Sequence, residues 1–213
     1  MNRPFVLAML SSLSVGGVAA DLHAVVRSDK GEPVRDAVIV AVPDVPPAKP
    51  PRSKLEQVEQ IGEEFVPKVK AILVGSPVSF PNRDSVRHHV YSFSPAKRFD
   101  LPLYVGTPAK PVVFDQPGVV VLGCNIHDWM IGYIYVSESP YYAITGADGE
   151  ATISGMPGGD YTVRVWHPQL ADVVEATRRR LEAAESADML WRLTLKPEVR
   201  IRRAPSATRR GPY

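Results

Sequence analysis

The chain has one cysteine, Cys124, among its 213 residues. An internal disulfide is therefore excluded, and the fold must hold without one. Long apolar runs are scarce too. Beyond the first twenty residues, no stretch offers the roughly 20 apolar residues that a membrane-spanning helix needs. Net charge is close to absent at +2, and nothing in it points to a nucleic-acid partner. The excess that exists is local. From Lys196 to Tyr213 there are six basic residues and one acidic, and the 195 residues before them sum to −3. Residues 198–213, poor in apolar anchors, read as a disordered basic tail.

Proline (21) and glycine (15) are plentiful, which favours short strands joined by turns over long helices. Apolar residues, at 45 %, are enough to build a core. The chain begins "MNRPFVLAMLSSLSVGGVAA", with one basic residue, an apolar run and the small residues Val18 and Ala20 just ahead of Asp21. That order predicts a cleaved export signal over residues 1–20, and so a periplasmic protein with no membrane span after cleavage. In an oxidising compartment a lone thiol is a liability unless something occupies it.

Further along, "DLHAVVRSDKGEPVRDAVIVAVP" predicts two strands about a turn, and five prolines from Pro43 through Pro51 mark a stiff connector. "LEQVEQIGEEF" predicts a helical turn. Strands follow in "VPKVKAILVG", "RHHVYSF", "PVVFDQPGVVVLGC" and "IGYIYV". "YYAITGADGEATISG" predicts a hairpin, "LADVVEATRRRLEAAESAD" a short helix and "MLWRLTLKP" a last strand.

The stretch "GCNIHDWM" sets Cys124, His127 and Met130 three residues apart. Thiolate, imidazole and thioether together favour copper over hard cations, and a thioether is a poor ligand for zinc. A trigonal copper site with a weak axial methionine requires a second histidine. "SVRHHVYSF" offers two, His88 and His89. Successive strand residues face opposite sides, so only one of the pair points readily at a metal.

Taken together, these stretches resemble the cupredoxins, in particular the plastocyanin and amicyanin-like type 1 copper proteins of the methylamine-utilisation kind. The Cys-x-x-His-x-x-Met spacing matches their short copper loop, and "RHHVYSF" is similar to their Pro-His-Asn-Val strand. The likeness spans roughly residues 60–137. It implies one type 1 copper ion held by His88, Cys124, His127 and Met130. With the ligands all protein-derived, it also implies one-electron transfer rather than catalysis. Redox proteins would be the partners, a quinoprotein dehydrogenase and a c-type cytochrome among them. Arg87 and Ile126 stand where the family usually has proline, and His89 where it has asparagine. In the family that asparagine ties the two ligand-bearing loops together; here His89 and Asn125 are expected to share the task through a side-chain contact. Trp129, beside His127, reads first as a packing residue and second as part of a partner-docking face. The alternative function is copper binding, delivery or sensing without electron transfer.

The flanks resemble the two ends of a carboxypeptidase-regulatory-like, transthyretin-type sandwich, through "GEPVRDAVIVAV" early and "TGADGEATISGMPGGDYTVRVWHP" late. The expected fold is all-β. A Greek-key cupredoxin sandwich over residues 55–137 would be inserted in, or flanked by, a second small immunoglobulin or transthyretin-like sandwich built from residues 21–45 and 139–197.

Overall fold

Val38, Ile39, Val40 and Ala41 are all fully buried, a run without the one-sided alternation of a surface strand. Such a strand must have apolar matter on both faces, and the architecture supplies it. The computed structural model describes residues 19–47, 52–108 and 110–197. The basic tail, the end of the proline connector and all but the last two residues of the expected export signal lie outside the described residues.

Two strands come first, β1 (Ala20–Ser28) and β2 (Val38–Pro43). Ten follow: β3 (Glu56–Gln57), β4 (Glu59–Gln60), β5 (Phe65–Val66), β6 (Val69–Leu73), β7 (Ser76–Ser79), β8 (His88–Ser94), β9 (Lys97–Tyr104), β10 (Val112–Phe114), β11 (Gly118–Gly123) and β12 (Ile131–Ser137). The last five are β13 (Tyr141–Ile144), β14 (Glu150–Met156), β15 (Gly159–Trp166), β16 (Arg179–Ala183) and β17 (Ala187–Leu193). The all-β class expected from the sequence is what the structure has. Among the described residues no helix is long and apolar enough to cross a membrane.

The sheets stack in layers. A three-stranded sheet (β14-β1-β17) and a four-stranded one (β13-β2-β15-β16) enclose a core that includes Leu22, Ile39, Val163 and Trp191. A five-stranded sheet (β6-β12-β11-β8-β9) and a three-stranded one (β10-β7-β3) have between them Phe80, Phe114, Leu122 and Ile134. A third apolar layer joins the two sandwiches. Val38, Val40 and Trp166 meet Val69, Ala71 and Tyr135 there. β2 thus sends Ile39 and Ala41 into the first core and Val38 and Val40 into the junction. All strands of the first sandwich come before residue 44 or after residue 140.

Three local expectations fail. The helix expected in "LADVVEATRRRLEAAESAD" is a short 3-10 turn at Val174–Thr177 followed by β16. In β16, Leu181 and Ala183 are buried while Arg179, Arg180 and Glu182 are exposed. That period of two is a strand's, and β16 pairs antiparallel with β15. "LEQVEQIGEEF" forms the small strands β3 and β4, not a helical turn. The expected hairpin of β13 and β14 is a crossover, since β13 pairs with β2 and β14 with β1. The turn between them drives Gly149, at φ +73°, to within 2.5 Å (from an ideal Cβ) of the Val26 carbonyl, where no side chain fits.

Candidate metal centre

β11 and β12 pair in antiparallel fashion up to Gly123 and Ile131, so residues 124–130 form a seven-residue loop closing that ladder. The loop is tight. The Met130 N–H donates to the His127 carbonyl at 2.9 Å, and the Ile131 N–H to the Trp129 carbonyl at 3.0 Å. Neighbouring β8 meets β11 where Gly123 pairs with Tyr91. A Cβ at Gly123 would lie 2.7 Å from the Tyr91 ring, so the ring can rest against the backbone only because this residue is glycine.

Alternation along β8 decides between the two histidines. His88, Val90 and Ser92 are buried; His89 and Tyr91 are half-buried and Phe93 is exposed. His88 therefore faces the core from which Cys124 and Met130 also protrude. One donor atom each from His88, Cys124 and His127 lies within 4.8 Å of the other two. The Cys124 Sγ to His127 Nδ1 distance is 3.8 Å, and the two imidazole rings are 5.0 Å apart at 63°. Metal bonds of about 2.0–2.3 Å in a trigonal plane set donors about 3.6 Å apart. His127 is partly exposed, whereas Cys124 and Met130 are buried.

The decisive atom is His88 Nδ1. His88 is fully buried, and its Nε2 lies 2.7 Å from Asp84 Oδ2. With Nε2–H donated to that carboxylate, Nδ1 keeps the lone pair. Yet Nδ1 is buried with no hydrogen-bond partner. An unsatisfied buried acceptor costs about 1–3 kcal/mol. A cation bound at that nitrogen removes that cost, and two imidazoles and a thiolate, with Met130 buried in the same core cluster, suit copper. The donors fit the ion.

Asp84 is the functional residue that the sequence reading missed. Burial pushes its carboxyl up, but the Glu63 N–H, His88 and the Gly62 N–H outweigh this and hold it below the ordinary carboxylate range. Its only sequence signal is an acid four residues before His88. Tyr104, paired across from His88, is uncharged at neutral pH, its phenol pushed up to about 12 by burial.

The expected contact between His89 and Asn125 does not form. His89 Nε2 is 2.5 Å from Asp100 Oδ1 on β9, and its ring packs on Tyr91 at 5.5 Å. Asn125 is exposed. The reason is the pleat: His89 points away from the face that carries the ligands. Trp129 packs against the His127 ring, with centroids 5.1 Å apart. It also lines a cleft of about 990 Å³ with Tyr133, His167 and Leu195. Tyr133 and Tyr135 pack on Trp166 in the junction.

No family model matches the chain, and no curated protein matches it. Similar solved structures include a purple cupredoxin from Nitrosopumilus maritimus, 28 % identical with a TM-score of 0.35, covering 38 % of this chain and 99 % of that one. A copper-containing nitrite reductase from Thermus scotoductus SA-01 is 29 % identical with a TM-score of 0.38, covering 46 % of this chain but only 26 % of the reductase. A reduced single-residue variant of amicyanin is 19 % identical with a TM-score of 0.35, covering 38 % of this chain and 80 % of the amicyanin.

Proposed function

We propose that this is an exported electron carrier of the cupredoxin kind, holding one type 1 copper ion on His88, Cys124 and His127 with Met130 as the weak axial ligand. The observation that carries the reading is the cluster of His88, Cys124 and His127, in which His88 keeps a buried Nδ1 without a partner. Copper would supply a one-electron couple at this site. The protein's part is to keep the ligands in one arrangement in both oxidation states. Asp84 fixes the His88 ring, the seven-residue loop fixes Cys124 and His127 relative to each other, and the apolar core behind them keeps water out. With copper's donor set filled by the protein's own His88, Cys124, His127 and Met130, no position is left open for a substrate, which favours a carrier over an enzyme. Partly exposed His127 and its neighbour Trp129 offer the shortest way out for an electron, and a redox protein such as a quinoprotein dehydrogenase or a c-type cytochrome would dock there.

On the same reading, residues 55–137 are a unit inserted in a sandwich built from 21–45 and 139–197. The separate cores of the two strand sets support this. Voltammetry of the copper-loaded protein tests the carrier role. A reversible one-electron couple, with copper retained against a chelator in both states, is expected. Release of copper on reduction would favour the delivery reading instead.

A further inference from the structure

Between β4 and β5 the chain reverses through Gly62 and Glu63, closed by reciprocal backbone hydrogen bonds between Ile61 and Glu64 at 3.0 and 3.2 Å. Both loop residues have positive φ, +62° at Gly62 and +60° at Glu63. Two-residue turns of this hand favour glycine or asparagine, and a glutamate in the left-handed region is a local strain. The strain has a visible correlate. In this conformation the two successive N–H groups converge on one carboxylate: Gly62 N–H on Asp84 Oδ1 at 2.7 Å, and Glu63 N–H on Asp84 Oδ2 at 2.9 Å. Asp84 Oδ2 is the oxygen that also takes the Nε2 of His88 at 2.7 Å. Asp84 is positioned from its other side as well. Its own N–H donates to Asn82 Oδ1 at 2.9 Å, while Asn82 Nδ2 donates to the Val86 and Tyr104 carbonyls.

We propose that the Gly62–Glu63 turn is a positioning and tuning device for the metal centre, resting on the copper reading above. The turn's N–H pair shares the charge of Asp84 and so limits how strongly that carboxylate draws on the Nε2–H of His88. A carboxylate hydrogen-bonded to the far nitrogen of a metal-bound imidazole makes the imidazole a stronger donor, and stronger donation favours the oxidised ion. The turn and Asp84 therefore act with opposite sign on the reduction potential. Asp84 lowers it; the turn restrains Asp84 and raises it.

The test uses the mature copper-loaded chain and three variants. Asp84→Asn removes the charge: the potential rises, and copper(II) affinity falls by about 10- to 100-fold. Inserting two glycines between Gly62 and Glu63 withdraws the N–H pair, and the potential falls. Glu63→Gly keeps both N–H groups and relieves the strain, and the potential stays at the wild-type value. Should the insertion fail to fold, an ester in place of the Gly62–Glu63 peptide bond removes the Glu63 N–H alone, with a smaller fall expected. The idea is wrong if the insertion or the ester moves the potential in the same direction as Asp84→Asn or leaves it unmoved. It is equally wrong if Glu63→Gly shifts it as far as the insertion does. ¹⁵N and proton resonances of the His88 ring in the metal-free protein give a second readout. The Nε2 proton moves downfield in the insertion and upfield in Asp84→Asn. If no copper binds, the electron-carrier reading fails, while these ring shifts still decide the role of the turn.

Discussion

The two sandwiches are built alike and differ in what they leave unsatisfied. Among the described residues, the one formed by β1, β2 and β13–β17 has no buried side-chain nitrogen or oxygen without a hydrogen-bond partner. Trp191 Nε1 donates to the Thr177 carbonyl at 2.9 Å, and Thr177 Oγ1 and Thr145 Oγ1 are each bonded to backbone. Among the described residues, the buried side-chain atoms without a hydrogen-bond partner are Gln60 Oε1, His88 Nδ1 and Trp129 Nε1, all in the other sandwich. Unsatisfied buried polar atoms call for an explanation. Here one of the three sits on a candidate ligand and another on the tryptophan whose ring packs at a tilt against His127. The unsatisfied buried side-chain atoms thus fall in the sandwich that carries the candidate metal centre.

Substitutions can break that contrast from either side. The largest effect is expected at the site. Cys124→Ala and His88→Ala each abolish the thiolate-to-copper colour, as read by visible spectroscopy after Cu(II) addition, whereas His89→Ala keeps it because that ring faces Asp100. The next largest belongs to the other sandwich. Trp191→Ala removes a side chain only 2 % exposed and costs about 3–5 kcal/mol in chemical denaturation, with the colour of the folded fraction unchanged. A third, smaller effect lies where the two requirements meet. Gly123→Ala forces the Tyr91 ring off the backbone, costs about 1–3 kcal/mol, and changes the spectrum because Cys124 follows directly.

The smallest effect is a pH slope in the sandwich without the metal centre. Burial pushes the His167 imidazole below its ordinary value, against the raising influence of a hydrogen bond to the Arg35 backbone and of Asp36. The unfolded chain then takes up a proton before the folded one does. Stability is therefore lost as pH falls from about 6.5, the unperturbed histidine value, through the lowered folded value, and is flat above. Denaturation midpoints across that window should show the slope in the wild type and lose it in His167→Gln.

Much of this was legible because it is local. Cys124, His127 and Met130 lie in one loop, so spacing alone gathers them, and the strand period leaves room for only one inward histidine in "RHHVYSF". The β-branched runs around Val38 and Val163 declared their strands. What was illegible is long-range or depends on pairing. Asp84 reaches the Gly62–Glu63 turn across more than twenty residues, and no periodicity marks it. "RRLEA" in β16 carries good helix formers, yet its partner β15 imposes a period of two. His89 is separated from Asn125 by the pleat of its own strand. β13 and β14 look like a hairpin because the turn between them is real, but each finds its partner in a different sheet.

Whether a metal binds at His88, Cys124 and His127 is read most simply from a Cu(II) titration of the purified protein, followed by visible absorption. An intense thiolate-to-copper band that grows linearly and stops at one copper per chain is expected. A titration that gives no such band, or one that keeps growing well beyond a single equivalent, would contradict the copper reading.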